Sequence, residues 1–131
     1  ASLKFTRETV SPLILATDKG HVEAVQVLAD AGIDLDACSD DGFTAVMVAT
    51  LGEHVDVLKT LIDKKASLNI QNPAGETALL LAAADGKLDV VRILLEAGAR
   101  HDLKTREGMD AFAVATDKKH FDVIRLLAKY D

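Results

Sequence analysis

Apolar residues follow this chain in short helical patterns that recur at a fixed interval of 33 residues. Within each interval, apolar side chains three and four positions apart predict one helix of about two turns and then a second one. Four copies keep this register, as the following columns show: Leu13, Val46, Leu79 and Phe112; Ala16, Ala49, Ala82 and Ala115; Val25, Leu58, Val91 and Ile124; Leu28, Leu61, Leu94 and Leu127. A fixed period of this length indicates a repeat protein.

Capping residues predict where these helices begin and end. A residue whose side-chain oxygen accepts a free backbone N–H precedes the first helix of each copy, and these residues are Ser11, Thr44, Thr77 and Asp110. The first helix is predicted at about residues 12–19 and the second at about 22–31, with equivalents in the later copies. Glycine follows a helix at Gly20, Gly32, Gly86 and Gly98. In repeat two, Lys65 replaces the glycine that follows the second helix. A positive φ is unfavourable for lysine, so we expect this helix to end less sharply.

Helices this short are unstable alone, because nucleation is costly and each one buries only a single stripe. Stacking of neighbouring copies supplies the missing core. The pattern therefore predicts an all-α solenoid of four helix-turn-helix repeats in a single domain, residues 1–131, with repeats at about 6–38, 39–71, 72–104 and 105–131. The last repeat has a polar outer side and is expected to be a C-terminal cap. The first resembles an internal copy, so we expect a chain cut from a longer protein rather than one capped by residues 1–5.

Composition and charge narrow the class of partner. The net charge is −6, which disfavours nucleic-acid and anionic-membrane surfaces because both require cationic contacts. The longest apolar run, residues 78–84, is far shorter than the roughly 20 residues that span a bilayer. The single cysteine, Cys38, fits a reducing compartment. We expect an intracellular protein, cytoplasmic or nuclear, without membrane insertion.

The segments that open the four copies resemble the Thr-Pro-Leu-His-x-Ala-Ala signature of the ankyrin repeat family. They read SPLILAT, TAVMVAT, TALLLAA and DAFAVAT, starting at Ser11, Thr44, Thr77 and Asp110. The resemblance implies β-hairpin-like loops, a concave groove built from loop tips and first helices, and a protein-binding role without catalytic activity or a cofactor. The signature histidine is replaced by Ile14, Met47, Leu80 and Ala113. We therefore expect more apolar contact between repeats than in relatives that keep it.

The histidines do not have the spacing of a metal site. His21, His54 and His120 share one column of the repeat. Stacking places successive copies about 8 to 10 Å apart, whereas zinc ligands lie about 2.0 to 2.3 Å from the metal. Hydrogen bonding in the turn between the two helices is the preferred interpretation. The recurring carboxylates Asp56, Asp89 and Asp122 are interpreted as a solvated helix face. We therefore predict a protein that is not an enzyme and binds no metal.

Register within the family geometry predicts a partner-binding surface at the loop tips and the ends of the first helices. Its candidate residues are Arg7, Val10, Asp18, Asp40, Asp41, Phe43, Leu51, Glu76, Asp85, Arg106, Met109 and Lys118. Phe43 is the leading anchor, because a loop beside Gly42 offers no obvious neighbour for its ring, and Leu51 extends the apolar spot. The alternative is that Phe43 folds back over its own hairpin.

The charge distribution gives this surface a direction. Residues 6–38 carry two basic and six acidic side chains, whereas residues 105–131 are neutral overall. We expect a partner protein or peptide with an apolar anchor and a basic flank, bound by a monomer or by part of a longer chain. The other interpretation is that these charges only keep the surface soluble. Two alternative functions remain open: a regulatory or targeting domain excised from a larger enzyme, and a small inhibitor that docks on a folded enzyme.

Overall fold

A computed structural model describes residues 11–130, and residues 1–10 and 131 lie outside that description. The described chain contains eight α-helices and no β-strand. They are α1 (Pro12–Asp18), α2 (Val22–Asp30), α3 (Ala45–Leu51), α4 (Val55–Asp63), α5 (Ala78–Asp85), α6 (Leu88–Glu96), α7 (Ala111–Asp117) and α8 (Phe121–Ala128). The predicted all-α repeat architecture is confirmed, with two short helices in each of four repeats.

The predicted caps start the first helix of every repeat. The Ser11 hydroxyl accepts a hydrogen bond from the Ile14 amide at 3.4 Å, and the Asp110 carboxylate accepts one from the Ala113 amide at 2.9 Å. Thr44 and Thr77 cap Met47 and Leu80 in the same way. Each cap satisfies one of the amides that a helix leaves unpaired at its N-terminus. The sequence pattern therefore located these four helix starts correctly.

Residues in the left-handed backbone conformation follow the helices at the predicted glycines, and also at three positions that carry no glycine. Gly20 and Gly86 have φ values of 72° and 70° after the first helices. Lys65 has a φ of 72°, so its predicted unfavourable conformation is confirmed. Glu53 and Lys119 also adopt positive φ. The repeat thus imposes this backbone turn even where the side chain opposes it.

The chain divides into two compact units, Ala1–Ala66 and Ser67–Asp131, which we call unit one and unit two. In unit one, α1 packs against α2 and α3, and α4 packs against α2 and α3. In unit two, α5 and α8 each pack against α6 and α7. The core of unit one includes Leu13, Val25, Val46, Leu58 and Leu61, and that of unit two includes Leu79, Val91, Leu94, Val123 and Leu127.

The positions of the replaced signature histidine lie inside this core in the two middle repeats. Met47 and Leu80 are 1% and 3% exposed. Ile14 and Ala113, in the first and last repeats, are partly exposed. Burial of an aliphatic or thioether side chain here contributes apolar contact where a histidine would require hydrogen-bond partners.

Candidate functional site

Three hairpin loops of identical build precede the helix pairs of repeats two, three and four. They span residues 39–43, 72–76 and 105–109. In each, the amide of the first residue donates to the carbonyl of the fifth, and a glycine amide donates back to the first carbonyl. The side-chain oxygen of the first residue accepts from the amide of the fifth, as seen for Ser39, Asn72 and Thr105. The predicted hairpin-like loops are present, and their backbones are held firmly.

The apices of the first and third hairpins carry exposed candidate residues. Asp40 and Asp41 are exposed at the apex of the first hairpin, and Arg106 is exposed at the apex of the third. Among the described residues, none of these three side chains forms an ion pair. Their charges are therefore free to meet a charged partner.

The base of each hairpin carries Phe43, Glu76 and Met109, and these three residues are partly buried. Phe43 is therefore partly buried, which agrees better with the alternative that it folds back over its own hairpin, and its role as a partner anchor stays a prediction. Two backbone contacts with Ser39 place it where the hairpin joins α3. Glu76 is also engaged, because its carboxylate accepts a hydrogen bond from the Asn72 amide group at 2.9 Å. These three residues contribute hydrogen bonds to their hairpins, and their part in partner binding stays a prediction.

The ends of the first helices carry the remaining candidates. Asp18, Asp85 and Lys118 are exposed at the ends of α1, α5 and α7. Leu51 ends α3 and is 40% exposed, which makes it an accessible apolar side chain on the candidate surface of unit one. Arg7 and Val10 lie outside the described residues. Accessible candidates thus remain at the helix ends and hairpin apices of both units.

In unit two, consecutive hairpins are joined by hydrogen bonds that the sequence did not reveal. The Gln71 side-chain amide donates to the carbonyls of Gly75 and Lys104 at 2.9 and 3.0 Å. The Arg106 amide donates to the Ala74 carbonyl at 3.0 Å. Gly75 permits this approach, because a Cβ there would lie 2.9 Å from the Arg106 nitrogen. Asn72, Gln71 and Gly75 therefore fix the position of the Arg106 apex.

The family model described as "Ankyrin repeats (3 copies)" matches residues 3–72 and 64–131. The chain belongs to the ankyrin repeat family. Ankyrin repeats are generally protein–protein interaction modules and are typically non-catalytic. A search of curated proteins finds no significant match.

In repeats two and four, a histidine directly before the second helix forms a hydrogen bond to the preceding ankyrin repeat. His54 Nε2 lies 3.1 Å from the Asp18 carbonyl in unit one, and His120 Nε2 lies 3.0 Å from the Ala84 carbonyl in unit two. The preferred interpretation of this column, hydrogen bonding at the turn, is confirmed for these two residues. The bonded carbonyls belong to the end of the preceding first helix, where backbone oxygens lack helical partners.

A further loop contact in unit two involves the ankyrin loops after the second helices. The Arg100 amide donates to the Asn69 side-chain oxygen at 2.9 Å. The Arg100 guanidinium donates two hydrogen bonds to the Asp102 carboxylate, at 2.9 and 3.0 Å. This hydrogen bonding holds the pKa of Asp102 below its ordinary value, against an opposing effect of desolvation.

The described ankyrin repeats contain neither a cluster of metal-ligating side chains nor a helix that could span a membrane. Within residues 11–130, no group of three or more His, Cys, Asp or Glu side chains is placed to hold a metal ion. Cys38 is exposed and is a free cysteine that forms no disulfide. None of the eight described helices has the length and apolar character needed to cross a bilayer. The chemistry that these repeats present is that of exposed charges and a few apolar side chains.

Proposed function

We propose that this ankyrin domain binds a partner protein through the exposed side chains at its hairpin apices and first-helix ends. The observation that carries the proposal is the contrast between the constant hairpin backbones and their different apices, Asp40 and Asp41 in one and Arg106 in another. A backbone held by repeated hydrogen bonds presents its side chains with little conformational freedom to lose on binding. Variable side chains on such a scaffold are the usual location of recognition.

The surface of unit one fits a basic segment with an apolar anchor. Asp18, Asp40 and Asp41 are exposed carboxylates, and Leu51 offers a partly exposed aliphatic side chain. Unpaired carboxylates attract a cationic partner over a distance of about one Debye length, roughly 8 Å at physiological salt. They raise the association rate more than they slow dissociation. The apolar contact of Leu51 supplies the part of the affinity that salt does not screen.

Affinity capture with matched variants tests this proposal. The test variant combines Asp40→Asn, Asp41→Asn and Leu51→Ala. The control combines Asp63→Asn, Glu96→Gln and Phe121→Ala, which removes the same number of charges and one exposed apolar side chain, all on the second helices. Proteins captured by the wild type and the control, but lost with the test variant, are ligands of the proposed surface. If the test variant captures the same proteins as the wild type, the proposed surface is wrong.

Two further measurements on a captured partner define the mode of binding. Affinity is expected to fall as salt rises, because exposed charges dominate the encounter. The partner's binding region is expected to retain affinity when shortened to a peptide. Loss of binding on shortening would instead indicate a docked, folded partner, and salt-independent binding would refute the electrostatic part.

A further inference from the structure

Two exposed cations, Lys104 and Arg106, lie at the hairpin of residues 105–109 in unit two. Neither side chain forms a hydrogen bond or an ion pair with any residue in the range 11–130. A charged side chain without an internal partner has all its donors available for a ligand. At the register position of Arg106, the hairpin of residues 39–43 carries Asp40, so the two hairpins present charges of opposite sign.

Hydrogen bonds hold the backbone at each of the three residues that carry these cations. The Lys104 carbonyl accepts a bond from the Gln71 side-chain amide at 3.0 Å. The Arg106 amide donates to the Ala74 carbonyl, also at 3.0 Å. Between them, the amide and the hydroxyl of Thr105 are both bonded within the hairpin. This backbone loses little conformational freedom when a ligand binds, which favours affinity.

The neighbouring hairpin of residues 72–76 adds a small apolar surface beside these cations. Pro73 and Ala74 are exposed at its apex, and Ala74 adjoins Arg106 through the bond of its carbonyl. The one carboxylate of this hairpin, that of Glu76, is partly buried and accepts a hydrogen bond from Asn72 at 2.9 Å. The apex beside Arg106 is therefore apolar and carries no opposing charge.

The charge balance around Arg106 indicates which anion fits. Residues 104–109 carry two cations, Lys104 and Arg106, and one carboxylate, Glu107, which leaves an excess of one positive charge. One partner carboxylate neutralises this excess. A phosphate monoester carries about −1.5 to −2 charges at neutral pH and would leave negative charge without a partner beside Glu107. The local charge therefore favours an aspartate or glutamate side chain.

We propose that the hairpins of residues 72–76 and 105–109 bind an acidic peptide segment of a partner protein, with one of its carboxylates on Arg106 and Lys104. The inference rests on the proposed protein-binding function and adds the partner chemistry that unit two selects. The Arg106 guanidinium donates two parallel N–H bonds to a carboxylate, and the Lys104 ammonium adds a further charged donor. A small apolar residue beside the acidic one covers Pro73 and Ala74. Gln71 is a positioning residue, because it holds the Lys104 carbonyl.

Titration of the whole chain with a defined acidic peptide tests this inference. The probe is a short capped peptide in which glutamate and alanine alternate, and its control has glutamine in place of every glutamate. In NMR spectra of the isotope-labelled protein, the glutamate peptide is expected to shift the Arg106 Nε–H signal and the Lys104 and Arg106 amides in a saturable way. The glutamine peptide is expected to leave them unchanged. Absence of a saturable shift, or equal shifts at the exposed cations Arg125 and Lys129, would overturn the proposal.

Matched charge variants measure how much the two cations contribute to binding. Lys104→Gln combined with Arg106→Gln is expected to weaken binding of the glutamate peptide by about tenfold, because a two-donor contact and a second cation are lost. Arg125→Gln combined with Lys129→Gln removes the same number of positive charges at α8 and is expected to change affinity by less than about twofold. Equal affinities of the first pair and the wild type would contradict the proposed site.

Gln71→Ala tests the positioning of the cations separately from their charge. It keeps Lys104 and Arg106 and removes the bond to the Lys104 carbonyl. Affinity for the glutamate peptide is expected to fall by about threefold, because part of the backbone order must then be gained on binding. Gln26→Ala makes the same change at an exposed position of α2 and is expected to leave affinity unchanged. Unchanged affinity in Gln71→Ala would overturn its positioning role.

Two comparisons separate this inference from its alternatives. A peptide with phosphoserine in place of glutamate is expected to bind no more tightly, and tighter binding would indicate a phosphopeptide instead of an acidic one. Failure of the glutamate peptide to bind refutes the inference but leaves the proposed function standing if the variant of Asp40, Asp41 and Leu51 still loses its captured proteins. Retention of those proteins refutes the surface of unit one, and peptide binding at Arg106 is measured independently of it.

Discussion

Units one and two contain the same repeat, but the hydrogen bonds that connect their loops differ in kind. In unit two, Gln71, Arg106 and Arg100 each bridge consecutive loops through hydrogen bonds. In the described part of unit one, the polar contacts between repeats include the His54 bond to Asp18 and the exposed ion pair of Lys64 with Asp30. Exposed ion pairs contribute little to stability. The loops of unit two are therefore expected to be the more rigid ones.

Buried polar groups sharpen the contrast between the units. The hydroxyls of Thr17 and Thr50 in unit one are fully buried and have no hydrogen-bond partner. The equivalent positions in unit two are Ala83 and Thr116, and the Thr116 hydroxyl donates to the Phe112 carbonyl at 2.7 Å. An unsatisfied buried hydroxyl costs about 1–3 kcal/mol. Copies of the same repeat can therefore differ in stability, because single substitutions decide whether a buried hydroxyl in each copy has a hydrogen-bond partner.

The largest expected effect comes from Gly75→Ala in unit two. The new Cβ would lie 2.9 Å from the Arg106 nitrogen, on a backbone with a φ of 82°. Strain and loss of the hairpin contact are expected to lower the free energy of unfolding by about 3 kcal/mol. Chemical denaturation measures this loss, and hydrogen exchange at the Arg106 amide locates it.

Gly108→Ala is the matched control for the hairpin contact. Its φ is 85°, but no neighbouring atom lies within 4 Å of the added Cβ. It is expected to cost about 1 kcal/mol, from the positive φ alone. Equal losses for the two variants would mean that the contact between the hairpins adds nothing to stability.

Asn72→Ala is expected to have the next largest effect. The Asn72 side chain accepts from the amides of Ala74 and Glu76 and donates to the Glu76 carboxylate, and the residue is 7% exposed. Loss of these three bonds is expected to cost about 2 kcal/mol in chemical denaturation. Ser39→Ala, at the equivalent place in unit one, removes a single bond to the Phe43 amide and is expected to cost about 0.5–1 kcal/mol. A reversed order would contradict the assignment of firmer loops to unit two.

The sequence predicted what the repeat shares and missed what distinguishes its copies. Period, caps and glycine turns gave the helices, because each of these signals is local and recurs every 33 residues. The contacts of Gln71 and Asn72 were missed, since a polar residue in a loop gives no sign of the carbonyl it will meet in the next loop. For a related reason, the sequence left open whether the Phe43 ring is exposed or folds back over its own hairpin. The column of Ser39, Asn72 and Thr105 does recur in register, and it would have indicated that the following residue is held at the hairpin base.

Thr50→Val tests the buried hydroxyls of unit one with a smaller effect of opposite sign. Valine keeps the shape of the side chain and removes the group that lacks a partner. The free energy of unfolding is expected to rise by about 1 kcal/mol. Thr116→Val serves as control. Because its hydroxyl is exposed and bonded, the free energy of unfolding is expected to change by less than about 0.5 kcal/mol or to fall. Destabilisation by Thr50→Val would show that the hydroxyl is satisfied in solution.

The smallest expected effect concerns the exposed pair of Arg100 and Asp102 in unit two. Hydrogen bonds from the guanidinium lower the pKa of Asp102, so the folded chain holds the ionised carboxylate more tightly than the unfolded chain does. The resulting stabilisation is present above the unfolded carboxyl pKa, about 3.9, and is lost as the pH falls through the lower folded value. In Arg100→Gln, the pKa of Asp102 is expected to return toward its ordinary value, as measured by titration of the carboxyl carbon in NMR spectra. High salt should reduce the difference between wild type and variant, because both side chains are exposed. An unchanged titration curve in Arg100→Gln at low salt would mean that this pair does not form in solution, and Arg100 would then be held by the bond of its backbone amide to Asn69.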